Sequence, residues 1–200
     1  MSILFVISAP SGTGKSTILR DARRTDPRLT FSRSYTTRAP RGPELDGVDY
    51  YFTSKEDFEY RAAQGEFLEY ANVFGNYYGT HKSEIDRAAA AGCDLVMDID
   101  VQGARQLRER VPDAVLIFVL PPDRSELERR LRARSQDQPE VIERRLREAK
   151  AETSQYGIYD YILINDELDA AVADLRSIIR AERLRRHRME GPVQRVLGSF

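Results

Sequence analysis

The segment Ile3-Leu4-Phe5-Val6-Ile7 is apolar at every position and leads straight into Ala9-Pro10-Ser11-Gly12-Thr13-Gly14-Lys15-Ser16, after which a helical pattern runs from Lys15 to Arg24. A continuous apolar run, unlike an alternating one, is a strand covered on both faces, as in a parallel sheet. Three further runs have this character: Leu95 to Asp100, which ends in acids; Val115 to Leu120, stopped by Pro121-Pro122; and Tyr161 to Ile164. Helical patterns separate them, at Ser83 to Ala91, Ala104 to Arg110, Arg124 to Ala133, Glu140 to Thr153 and Leu168 to His187. Strands alternating with helices predict an α/β fold with a mostly parallel sheet flanked by helices.

Two segments break the rhythm. Residues 33–82 hold 11 of the 18 aromatic residues and read as a small β-rich insertion. Residues 123–150 carry nine basic and seven acidic residues at helical spacing, with few large apolar ones, and read as a solvated helical hairpin with a weak anchor on the core. Residues 1–32, 83–122 and 151–200 are left as one core. At 200 residues the chain suits one compact domain with such insertions. Its 31 basic and 32 acidic residues give a net charge of -1, which argues against nucleic acid as a partner. Its apolar runs are too short to span a bilayer, so no membrane partner is expected. A single cysteine, Cys93, cannot form an internal disulfide and suits a reducing compartment; with no leader pattern at the N-terminus, the cytoplasm is expected. Repeats are absent, and oligomeric state is not legible.

The loop after the first strand fits G-x-x-x-x-G-K-[ST] with one departure, Ala9 in the first glycine position. Gly12 and Gly14 let backbone N–H groups turn inward around a phosphate, and the helix behind them points its N-terminus at the anion. Lys15 would reach the terminal phosphates and Ser16 would ligate Mg²⁺. Ala9 would be strained if that position needed a positive φ. By itself the loop implies a nucleoside triphosphate and does not separate a kinase from a GTPase or a motor. Asp98 and Asp100 end a buried strand, where a parallel sheet opens its ligand crevice. Two positions apart, they face the same side, so one can serve the metal and the other a substrate.

Together with the loop, Phe31–Phe52 (FSRSYTTRAPRGPELDGVDYYF), Gly65–Thr80 (GEFLEYANVFGNYYGT), Met97–Gln106 (MDIDVQGARQ), Pro121–Arg134 and Tyr159–Asp166 (YDYILIND) make the chain resemble the guanylate kinases, to about residue 189. The resemblance implies a P-loop nucleoside monophosphate kinase-like fold, with residues 33–82 as the GMP-binding insertion and 123–150 as a helical lid. It implies ATP and GMP as substrates, with Mg²⁺ as cofactor. ATP would lie on Ala9, Pro10, Ser11, Gly12, Thr13, Gly14, Lys15, Ser16 and Thr17, with Asn165 and Asp166 near its adenine. The GMP phosphate would be held by Arg38, Arg41, Tyr50 and Tyr78, and the guanine read by Ser34, Glu69, Thr80 and Asp100. Ser16 and Asp98 would serve the metal. Lys15, Arg38, Arg134 and Arg145 would carry catalysis. Bacterial members also place alanine at the Ala9 position, which answers most of the concern over strain. Ser135 departs from the family's usual glycine in the lid.

These residue types suit the task. Guanine presents N1–H and its 2-amino group as adjacent donors, which one carboxylate accepts together; adenine has an acceptor at N1. Hydroxyls at Ser34 and Thr80 can donate to O6. Without the family pattern, however, Glu69 reads as an exposed charge between Leu68 and Tyr70, and Arg38 to Pro43 as a surface turn. The attacking phosphate oxygen is already charged, so no general base is required, and His81 and His187 read as structural or exposed. Another small-molecule kinase on this scaffold, or a non-catalytic interaction domain, are the competing expectations; the latter class typically lacks the loop lysine or lid arginines.

Overall fold

The computed structural model describes residues 2–73, 75–134 and 138–200. Five strands form one parallel sheet in the order β2-β7-β1-β8-β9: β1 (Leu4–Ser8), β2 (Leu29–Phe31), β7 (Asp94–Asp98), β8 (Val115–Leu120) and β9 (Tyr161–Ile164). Its central strand is buried throughout, and successive residues serve opposite faces. Phe5 and Ile7 join Ile18, Leu19, Leu175 and Ile179 of helices α1 (Lys15–Thr25) and α7 (Leu168–Arg183). Leu4 and Val6 join Ala104 and Leu107 of α4 (Val101–Arg110) and Ala88 of α3 (Ser83–Ala90). Two apolar faces on one strand explain why its sequence shows no polar alternation.

The insertion is a second sheet of four strands, ordered β4-β3-β6-β5: β3 (Ser34–Thr36), β4 (Tyr51–Phe52), β5 (Phe67–Val73) and β6 (Asn76–His81). It also contains a helix, α2 (Lys55–Ala63), whose first turn is capped by Ser54 accepting the Asp57 N–H at 3.0 Å. Phe58 of α2 stacks on Phe67 and Tyr77, so the aromatic richness of this segment builds a small core of its own. The sheet attaches to the main body through α4, where Gln106 Nε2 donates to the Tyr70 carbonyl at 2.7 Å and Arg110 Nη1 donates to the Leu68 carbonyl at 3.0 Å.

Helices α5 (Arg124–Arg134) and α6 (Pro139–Thr153) form the hairpin. It is better packed within itself than its composition suggests: Leu127, Leu131, Ile142, Leu146 and Ala149 make an apolar cluster between the two helices, separate from those of the main sheet. The last long helix is shorter than its pattern, ending at Arg183 rather than His187. Arg188 turns back, donates to the Glu182 carbonyl at 2.9 Å and pairs with the Glu182 carboxylate, so the helix end is satisfied by a returning side chain. Beyond it, α8 (Glu190–Leu197) buries no residue. No helix among the described residues is long and apolar enough to cross a membrane.

Candidate active site

Gly12 and Gly14 both stand at φ 93°, which only glycine adopts without strain. Gly14 caps α1, so the loop amides and the positive helix end converge on one point. Gly12 is constrained a second time, because a Cβ there would stand 2.8 Å from Leu131 Cδ2 of α5. The Ala9 methyl packs against the main core. Lys15 forms an ion pair with Asp98 at the end of β7, and its ammonium donates to the Ile99 carbonyl at 3.5 Å. Thr13 is buried with no hydrogen-bond partner for its hydroxyl, while its carbonyl accepts from Asn165 Nδ2 at 2.6 Å and Arg130 Nη1 at 3.2 Å. Asn165 is thus a strut beneath the loop, with its Oδ1 buried and without a partner. Asp166 is exposed, and Thr17 turns away toward a second cleft between α1 and α7.

Across a cavity of about 910 Å³, the insertion sheet offers a second wall. Ser34, Thr80 and Glu69 are direct neighbours across β3, β6 and β5, with a bulge before Glu69, so their side chains share one face. Glu69 is 3% exposed, which overturns its expectation as a surface charge. Its Oε1 accepts the Thr80 N–H at 3.1 Å. Burial pushes its carboxyl up to about 7, and the nearby Asp100 adds to this. The Thr80 hydroxyl is buried without a partner. Asp100 caps α4, accepting the Gly103 N–H at 2.8 Å and Gln102 Nε2 at 3.1 Å.

Two residues along the same face, roughly 7 Å away at strand spacing, lies Tyr78. Its hydroxyl accepts Arg38 Nε at 3.2 Å, which leaves the phenolic proton to donate elsewhere. Arg38 is 8% exposed; it pairs with Glu44 through Nη1 and Nη2 at 2.9 and 3.0 Å and lies over the Tyr50 ring. The turn after Arg38 is therefore anchored by a buried guanidinium rather than being a plain surface turn. Tyr50 and Tyr78 line the cavity, but Arg41 does not: its side chain is exposed and its N–H donates to Glu44 Oε2 at 2.7 Å.

The hairpin supplies the third wall. Arg145 Nη2 donates to Ser11 Oγ at 2.7 Å, and Arg130 donates to the Asn165 carbonyl at 3.0 Å while pairing with Glu126. Arg134 ends α5; its side chain, and residues 135–137 including Ser135, lie outside the described residues. Three charged residues of this wall carry no signal of their own in the sequence: Arg144, Glu148 and Glu152. Only together do they leave one, a polar stripe on α6, opposite Ile142 and Leu146. Burial and the Asp100 charge raise the Glu152 carboxyl to about 7, with Lys15 opposing. His81 bonds Ser83 and Glu66 away from the reacting end, as a structural residue would. Among the described residues no cluster of three or more His, Cys, Asp or Glu could enclose a metal.

A parallel sheet with a glycine-rich phosphate loop at its carboxyl edge, facing a polar cavity walled by an insertion and a helical hairpin, defines an ATP-dependent nucleoside monophosphate kinase. The chain belongs to the guanylate kinase family, whose model matches residues 1–182. A guanylate kinase from Koribacter versatilis is 54% identical over 186 residues, covering 92% of this chain and 80% of its own. One from Alkalilimnicola ehrlichii is 50% identical over 187 residues, covering 94% and 92%. The crystal structure of guanylate kinase from Anaplasma phagocytophilum superposes with a TM-score of 0.74 at 32% identity, covering 94% of this chain and 89% of that one.

Proposed function

We infer that the guanylate kinase reaction, transfer of the γ-phosphoryl group of ATP to the phosphate of GMP, is carried out here by three walls with separate tasks. Residues 9–17 cradle the ATP phosphates, with its adenine toward Asn165 and Asp166. The insertion, residues 33–82, binds GMP: Ser34, Glu69, Thr80 and Asp100 read the base, while Tyr50, Tyr78 and Arg38 meet the phosphate, and Arg41, exposed in the free protein, joins them only by turning inward when the phosphate arrives. Residues 123–150 are the lid that brings Arg134 and Arg145 over the transferring group. The observation that carries this reading is the buried Glu69 carboxylate, backed by Thr80 and lying with Ser34 in the same cavity as the phosphate loop. Buried polar groups of this kind favour the ligand that satisfies them and reject the one that leaves them unpaired.

An oxygen of the GMP phosphate attacks the γ-phosphorus; the new P–O bond forms as the bond to the β-phosphate oxygen breaks, and ADP leaves. Because the nucleophile is an anion, the work of the protein is alignment and charge neutralisation. Lys15, held in the free protein by Asp98 and the Ile99 carbonyl, moves its charge to the phosphates when they arrive. Arginines placed on a transferring phosphoryl group contribute roughly 10³–10⁵ in rate in related chemistry. Ser16 and Asp98 both line the cavity and offer the hard oxygen donors that suit Mg²⁺, which would be completed by phosphates and water. When bound there, Mg²⁺ supplies charge neutralisation of the triphosphate.

The test is a coupled ADP-release assay with ATP and Mg²⁺ and, in turn, GMP, dGMP, AMP, CMP and UMP. Turnover with the guanine nucleotides well above the others is expected. AMP turning over as fast as GMP would refute the base assignment. Lys15→Met is expected to leave a folded protein with turnover reduced by at least about 10³-fold, and undiminished turnover removes the loop from the reaction.

A further inference from the structure

Gly103 is the third residue of α4, in the turn capped by Asp100, and its N–H donates to Asp100 Oδ1 at 2.8 Å. It is not among the glycines with positive φ. On backbone grounds alanine would therefore be preferred there. What excludes a side chain is the opposite wall. A Cβ on Gly103 would stand 2.5 Å from Glu69 Oε2, 3.1 Å from Glu69 Cδ and 3.2 Å from Ile99 Cδ1. Glu69 has little room to withdraw, because it is buried and its other oxygen is held by the Thr80 N–H at 3.1 Å. Ile99 is buried as well.

We propose that Gly103 is a specificity-determining positioning residue. Its bare Cα lets the Glu69 carboxylate lie against the first turn of α4 while its N–H holds Asp100. One backbone position thereby sets the spacing between two carboxylates on different elements. The proposal rests on the assignment of Glu69 to the guanine base. A methyl at residue 103 moves Glu69 off the line of the N1–H and 2-amino donors without touching the phosphate loop.

The test is Gly103→Ala, measured with GMP and with IMP, which keeps N1–H and O6 but lacks the 2-amino group. Expected are a thermal midpoint below that of the parent, an unchanged KM for ATP, and a KM for GMP raised roughly 10- to 100-fold, with the preference for GMP over IMP reduced. A merely helical residue would give the higher midpoint with unchanged kinetics. In a Glu69→Ala background the same substitution is expected to change the KM for GMP less than about 2-fold, since its collision partner is gone. An equal penalty in both backgrounds overturns the proposal, as does a parent-like KM in Gly103→Ala. If Gly103→Ala does not fold alone, recovery of the fold in the Glu69→Ala background reports the same collision, and failure in both backgrounds overturns it. Glu69→Gln separates the two layers: no effect of that substitution on GMP removes the base assignment and this proposal together. A loss in Glu69→Gln beside a parent-like Gly103→Ala removes this proposal alone.

Discussion

At the scale of single residues, the chemistry of the site is set by burial. Glu69 has an ordinary value of 4.5 and is raised to about 7 by desolvation. Its proton is therefore held by the folded state between these values. That part of the stability is full below about 4.5 and is lost as pH rises through about 7, for a total of about 3 kcal/mol. On the proposed reading, recognition has the opposite sign, since guanine's two donors need the ionised carboxylate. The KM for GMP is expected to rise about tenfold per pH unit below 7 while that for ATP stays flat. Glu152 is raised to a similar value, so the profile is best measured in a Glu152→Gln background, where adding Glu69→Gln should flatten it. A profile for GMP that persists without the Glu69 carboxylate would assign the titration elsewhere.

At the scale of elements, the hairpin touches the phosphate loop at several points. Leu131 is fully buried in the hairpin cluster and lies where a Gly12 side chain would be. Leu131→Ala removes packing from both, at a cost of about 2–5 kcal/mol. Hydrogen exchange should show the loss in residues 124–153, with the central sheet unaffected. Arg145→Ala cuts the contact to Ser11 and, on the proposed reading, removes an arginine offered to the phosphates. It is expected to lower kcat at least about 10²-fold with little change in the thermal midpoint; a change confined to the KM for GMP would place Arg145 outside the phosphoryl-transfer path. The hairpin illustrates a limit of pattern reading. Its charge content was plain, but the small cluster of Leu127, Leu131, Ile142, Leu146 and Ala149 exists only because two helices face each other. Likewise α2 was absorbed into an aromatic-rich segment, although Ser54 and Asp57 carry a capping signal.

At the scale of the whole molecule, the C-terminal helix is fastened by charge. Arg183 joins Asp26 after α1 and Asp94 at the start of β7 at 2.6 and 2.7 Å, and Asp94 also accepts the Ile3 N–H at 2.9 Å. Removing one partner leaves the other charges poorly solvated, so Arg183→Ala should destabilise the fold by about 3 kcal/mol, read in chemical denaturation. Deleting residues 190–200, which bury nothing, should shift stability by no more than about 0.5 kcal/mol. A large shift would mean that the tail packs on the domain in solution. Arg185 and Arg188 both pair with Glu182, so the basic run that follows the family-matched region is partly neutralised within the chain.

The sequence alone determined the parallel core and the phosphate loop, because these depend on local order: an apolar run, a glycine pair, a helix start. Residues recognised by motif, such as Lys15 and Asp98, fall together for the same reason. Tertiary structure alone decided that Glu69 is buried, that Arg38 is tied to Glu44, that Arg41 points outward and that Asn165 braces the loop. It also decided that Gly103 must lack a side chain. Most of these depend on what another element places opposite the residue, as Thr13 lies opposite Asn165, and even the local Arg38–Glu44 pair follows no helix or strand period, so none leaves a periodic trace in the chain.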